Sequence, residues 1–189
     1  MRVLGVDPGT VTTGWGVIDE VDRRLRYAGG GLIRARGALP QRLAHVYEHT
    51  RRILAEFIPD CVSLEKTFVG ENVQSAFRLG EARGAILVAA AQAGVPVSEY
   101  SPAEIKVAVA GSGRAAKSQM QIMVGRLLAL CTPLAGDEAD ALGAAVCHLH
   151  THRFAAQVEV SSLPVADRRR SRQRRSLRRR NAAVIQAKR

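Results

Sequence analysis

Four carboxylates stand where a carboxylate needs a reason: Asp7, Glu65, Asp137 and Asp140. Asp7 closes the apolar run Val3-Leu4-Gly5-Val6, immediately before Pro8-Gly9. Such a run reads as a short buried strand, and Pro-Gly punctuates its end. Glu65 repeats the arrangement at the end of Cys61-Val62-Ser63-Leu64. Asp137 and Asp140 lie three apart at the start of a helical pattern and share one face. Asp140 directly precedes the small apolar run Ala141-Leu142-Gly143-Ala144-Ala145-Val146, which must pack on a sheet. Taken singly, Asp7 could cap its own turn, and Asp137 with Glu138 could serve the helix dipole. Taken together, four acids at element ends would repel one another severely without a cation. Ligands that are all oxygen suit Mg²⁺ or Mn²⁺ rather than zinc. Two such ions, roughly 3.5–4 Å apart, can activate a water and stabilise the leaving oxygen of a phosphodiester.

Positioning these acids requires a particular order of elements. Val3–Asp7 and Gly14–Ile18 are joined by a turn too short for anything but an antiparallel pair, and Arg26–Arg34 adds a third, glycine-weakened strand. Pro40 opens a long helix whose Leu43, Val46, Tyr47, Thr50, Ile53, Leu54 and Phe57 recur at helical spacing. This helix is a crossover that lays Cys61–Glu65 parallel to the first strand, so Asp7 and Glu65 reach the same rim. A second helix over 71–93 ends at Gly94, and its segment Ala85–Ala91 is apolar all round. That predicts burial on both sides, either inside the chain or across a two-fold subunit interface. Pro96–Tyr100 gives a fifth strand, and Ser101-Pro102 caps a short helix broken by Gly111-Ser112-Gly113. Helices over 115–130 and from 136 to about 152 complete the pattern. The expectation is an α/β fold with a mixed five-stranded sheet, three antiparallel strands then two parallel, flanked by helices.

Composition narrows the partners. The net charge of +11 is unevenly divided: residues 160–189 hold eleven Lys and Arg against Asp167 alone, a net of +10, leaving +1 for residues 1–159. A clustered basic tail is expected to be disordered and to bind polyanions, nucleic acid first among them. We therefore divide the chain into a folded domain over 1–157 and an Arg-rich tail over 158–189. No apolar run reaches the roughly 18 residues of a membrane span, and the start lacks the pattern of a signal peptide. Cys61, Cys131 and Cys147 are odd in number and widely spaced, which fits free thiols in a reducing cytoplasm. His148 and His152 lie one turn apart but lack a third ligand nearby, so an ordinary helix end is the reading.

The combination of motifs is more specific than any one of them. Asp7-Pro-Gly-Thr, Leu64-Glu65-x-x-Phe68, Ser75-Ala-Phe-Arg-Leu-Gly80-x-Ala-Arg-Gly84, Lys117-Ser-Gln and Asp137-x-Ala-Asp140-Ala-Leu142 occur in this order. Together they resemble the RuvC family of crossover (Holliday) junction endodeoxyribonucleases over residues 2–152. The resemblance implies a ribonuclease-H-like fold, a homodimer, and Mg²⁺-dependent paired nicking of a four-way DNA junction. It implies that Asp7, Glu65, Asp137 and Asp140 are catalytic metal ligands for two Mg²⁺ ions, with Mn²⁺ able to substitute. Phe68 matches the aromatic that stacks on an unpaired base, and Lys106 and Lys117 match basic residues that contact DNA. It also implies the branch-migration proteins RuvA and RuvB as partners, in a bacterial cytoplasm. The long Arg-rich tail has no counterpart in that pattern. One rival reading stays open at this point: a non-catalytic nucleic-acid-binding protein that works through its tail.

Overall fold

The computed structural model describes residues 1–66 and 73–162. Five strands, β1 (Arg2–Asp7), β2 (Thr12–Val21), β3 (Arg24–Arg34), β4 (Cys61–Glu65) and β5 (Val97–Tyr100), form one sheet in the order β3-β2-β1-β4-β5. The pairs β1–β2 and β2–β3 are antiparallel, while β1–β4 and β4–β5 are parallel. This is the mixed sheet expected from the sequence. The hairpin between β2 and β3 is tighter than the polar turn expected over Asp19–Arg24. Both strands run to a two-residue turn at Asp22-Arg23, each with positive φ (49° and 66°). That geometry follows the right-handed twist of the flanking strands.

The helices are α1 (Leu39–Phe57), α2 (Val73–Gln92), α3 (Pro102–Ala110), α4 (Lys117–Leu127) and α5 (Gly136–Ser162). Ser101 caps α3 as its sequence suggested: its hydroxyl accepts from the Glu104 amide at 3.2 Å, and Glu104 accepts from the Ser101 amide at 2.7 Å. Gly94 (φ 68°) closes α2, with the amides of Gly94 and Val95 donating to the carbonyls of Ala91 and Ala90. α4 is shorter at both ends than expected, stopping where Ala129 turns left-handed (φ 52°). The chain divides into two units, Met1–His150 and Thr151–Arg189. α5 extends past the expected end near residue 152, and Ser162 is its last residue.

Strand alternation sorts the sheet's side chains into two layers. Leu4, Val6, Val17, Val62 and Leu64 face α1 and α2, packing with Val46, Ile53, Leu54, Ile86 and Ala89. Val3 and Ile18 face the other way, in a second cluster with Leu142, Val146 and Leu149 of α5 and residues of α3 and α4. On that side the strands also carry Gly5, Gly14 and Gly16, and α5 lies directly on them. A Cβ at Gly5 would fall 1.9 Å from the Ala141 carbonyl oxygen, and one at Gly14 would fall 2.0 Å from that of Asp137. Helix backbone therefore touches sheet backbone, and Ser63 Oγ donates to the Ala144 carbonyl at 2.7 Å.

Within α5, every residue from 141 to 149 is buried. In α2, Ala82, Ile86, Ala89 and Ala90 are buried, while Phe77 (69% exposed) and Val88 (51%) face outward. Among the described residues, nothing encloses this outer row, so of the two expected arrangements burial inside the chain does not hold there. Among the described residues, no helix is long and apolar enough to cross a membrane. Cys61 and Cys147 are buried and Cys131 is exposed, and none of the three is in a disulfide.

Candidate metal centre

Asp7 and Glu65 end adjacent parallel strands, one residue beyond the paired Val6 and Leu64. Alternation turns both toward α5, because Leu4, Val6, Val62 and Leu64 occupy the opposite face. The turn after Asp7 is braced by Thr13, which is fully buried: its hydroxyl donates to the Gly9 carbonyl at 2.6 Å and accepts from the Gly9 amide at 3.3 Å. Thr13, and not Asp7, thus supplies the side-chain bonds that close this turn. α5 brings Asp137 and Asp140 from the other side, so that single carboxylate oxygens of Asp7, Asp137 and Asp140 lie within 4.8 Å of one another. Glu65 stands outside that trio but lines one pocket with Asp7 and Asp140 and another with Lys106, Lys117 and Asp140.

The crowding has an electrostatic signature. Asp7 is pushed up to about 7, first by burial and then by the negative charges of Glu65, Asp140 and Asp137. Burial, followed by the charge of Asp140, also raises Glu65, and Lys106 and Lys117 oppose that rise. The nearest cation is Lys117, first residue of α4, whose Nζ lies 2.7 Å from Asp140 Oδ2 and 3.8 Å from Asp137 Oδ1. The hydrogen bond to Asp140 is the main cause of the raised Lys117 value. Three converging carboxylates of hard oxygen, destabilised as anions by burial and by each other, fit a Mg²⁺- or Mn²⁺-type ion.

Of the residues singled out in the sequence, the fold gathers Asp7, Glu65, Asp137, Asp140, Lys106 and Lys117 around one cleft. Phe68 lies outside the described residues, as does the arginine run from 168 onward. Sequence reasoning missed Thr13, whose importance depends on a bond four residues back along the chain. It also missed Lys66, which lines the pocket with Asp7 and Glu65 and whose only signal was adjacency to Glu65. His148 and His150 of α5 have partners away from the acids. His148 Nδ1 lies 2.9 Å from Tyr100 Oη, and His150 Nδ1 lies 3.1 Å from the Ala108 carbonyl.

Comparison with known proteins bears on the whole arrangement. The family model described as "Crossover junction endodeoxyribonuclease RuvC" matches residues 3–148. The protein of that name from Paramagnetospirillum magneticum is 46% identical over 159 residues, covering 83% of this chain and 95% of its own. The one from Aeromonas salmonicida is 49% identical over 152 residues, covering 80% and 88%. The solved structure titled "T. thermophilus RuvC in complex with Holliday junction substrate" superposes with a TM-score of 0.78 at 34% identity, covering 82% of this chain and 96% of that one. The yeast mitochondrial Holliday junction resolvase shares the fold alone, with a TM-score of 0.57 at 11% identity. With its sheet order, its acid cluster and these likenesses in agreement, the chain belongs to the RuvC family.

Proposed function

We propose that this protein is a structure-selective endonuclease that resolves four-way DNA junctions in recombination and repair by paired, symmetric nicks. The observation that carries this reading is the convergence of Asp7, Asp137 and Asp140 beside Lys117. Its context adds support, since a family member at 34% identity has been solved with a Holliday junction substrate. Asp7, Glu65, Asp137 and Asp140 would hold two Mg²⁺ ions, with Mn²⁺ able to replace them. Such ions supply an activated water and neutralise charge at the phosphodiester. The protein's own part is to fix its carboxylates on a strand end and a helix start, so little reorganisation is left for the moment of reaction. Lys117, Lys106 and Lys66 would offset phosphate charge around the cleft, and Phe68 would stack on a base opened at the crossover.

Paired nicks need two such sites. The outward row of α2, with Phe77 and Val88 exposed and open space over Gly80 and Gly84, supports a homodimer built on that helix. In this reading residues 1–157 form the nuclease domain, and the basic stretch 158–189 holds duplex arms by their phosphates in the cytoplasm. Family resemblance supports RuvA and RuvB as partners.

The test is a synthetic four-way junction with labelled strands, incubated with the protein and Mg²⁺. Linear duplex, EDTA and the Asp7→Asn variant serve as controls. Symmetric nicks in two opposing strands are expected only with junction, metal and intact Asp7. Tight binding without cutting under any divalent metal would overturn the catalytic reading and leave a junction-binding module.

A further inference from the structure

Asp137 and Asp140 can meet Asp7 only if the first turn of α5 holds its place. A first turn is a helix's least constrained part, because its amides have no partner in a preceding turn. Packing on Gly14 fixes its distance from the sheet, since the Asp137 carbonyl sits where a Cβ would be. That contact does not by itself fix its rotation. Lys117 holds the two aspartates from α4, and Glu138 adds a tie to the sheet. Glu138 lies between the two aspartates in sequence and, at about 100° per residue, leaves the helix in another direction. There Glu138 Oε1 accepts from Tyr27 Oη of β3 at 3.0 Å, across 111 residues of chain. The tie therefore links the edge strand of the sheet to the turn that bears the acids. The pair lies over Gly30, where a Cβ would fall 2.5 Å from Glu138 Oε1 and 3.1 Å from Tyr27 Oη.

We propose that Tyr27 and Glu138 are positioning residues for the metal centre, the Tyr27 hydroxyl holding the first turn of α5 at the angle that brings Asp137 and Asp140 to Asp7. The inference rests on the reading of those acids as metal ligands. Burial, followed by Glu138, pushes the Tyr27 phenol up to about 12, so it remains a donor under working conditions. Neither residue touches the acid cluster directly, so both act through the helix.

The experiment is a Mn²⁺ titration of the full-length protein and its variants, read by the electron paramagnetic resonance of free Mn²⁺. One hydrogen bond of this kind is worth about three- to tenfold in a coupled equilibrium. Tyr27→Phe and Glu138→Ala should each weaken Mn²⁺ binding by that factor. Glu138→Gln, which keeps an acceptor oxygen, should stay within about twofold of the parent. Tyr27→Phe with Glu138→Ala should be no weaker than either single change, because one bond is lost in each case. Gly30→Ala, which retains both partners but crowds them, should weaken binding in the same direction. Junction affinity in EDTA should not change, and circular dichroism checks that each variant is folded. Parent-like Mn²⁺ affinity in folded Tyr27→Phe and Glu138→Ala, or strictly additive losses, would overturn the proposal. If Asp7→Asn also binds Mn²⁺ like the parent, the metal-centre reading itself fails, which is a distinct result.

Discussion

The two faces of the sheet are packed by different means. Toward α1 and α2, the strands present Leu4, Val6, Val17, Val62 and Leu64, and helix and sheet are separated by interlocking side chains. Toward α5, the same strands present Gly5, Gly14 and Gly16, and the helix backbone rests on the sheet itself. The first face is a core in the ordinary sense, where shape can be met by several combinations of side chains. The second is a bearing surface. At Gly5 and Gly14 no side chain intervenes, so backbone contact sets how close α5, with Asp137 and Asp140, stands to the sheet. Both faces carry a buried apolar cluster, but only the α5 face adds direct contact between helix and sheet backbone.

The largest break in this comparison comes from the charge at its centre. Asp7→Asn should lower junction cleavage by about a thousandfold or more, some 4 kcal/mol of transition-state stabilisation, with junction binding retained. Cleavage and gel-shift assays on one labelled junction separate the two effects. Gly5→Ala tests the bearing surface directly. Its new methyl would meet the Ala141 carbonyl at 1.9 Å, so α5 must lift. We expect a stability loss of about 3 kcal/mol, together with loss of Mn²⁺ binding in the molecules that remain folded. Leu4→Ala, one residue away on the opposite face, is the matched control. It should cost about 2–5 kcal/mol in chemical denaturation yet leave the Mn²⁺ affinity of the folded protein near that of the parent. Equal effects of both changes on metal affinity would erase the distinction between the faces.

Smaller effects sharpen it. In EDTA, Asp7 carries a native value of about 7, above its ordinary value of 3.8. The native state therefore binds the extra proton between these values, and the contribution of Asp7 to stability declines as pH rises from about 4 through 7. Melting temperature in EDTA should fall across that window by roughly 2–4 °C for each kcal/mol lost. Divalent ions should restore it most at pH 8, where no proton competes. Asp7→Asn should flatten the profile. Removal of residues 163–189 should leave cleavage chemistry intact while weakening junction binding. The slope of log affinity against log salt should then flatten by about 0.9 for each phosphate that the tail no longer neutralises.

Much of this architecture was legible in the residues. Strand ends at Asp7 and Glu65 follow from apolar runs of alternating direction, and the α1 crossover makes those two strands parallel, with no other information needed. The caps at Ser101 and Gly94 are local chemistry, and local chemistry reads well from sequence. Composition left open what covers a helix. Ala85–Ala91 is apolar in every direction, yet Val88 and Ala91 are exposed and only one side of α2 packs. The helix buried all round is α5, whose Gly143 and alanines let α3, α4 and the sheet approach together.

By itself, then, the sequence determined which residues could bind a hard cation, the order of strands and crossover, and the separation of a nearly neutral body from a strongly basic tail. Those properties depend on residue type, on periods of two and 3.6, and on charge, all of which are local. Only the tertiary structure decided that α5 touches sheet backbone, that Lys117 sits against Asp140, that Thr13 braces the turn after Asp7, and that Tyr27 reaches Glu138. A glycine in a strand reads as a weakness until the helix that needs its missing side chain is in place. A salt bridge or hydrogen bond between elements far apart in the chain leaves no period in the sequence.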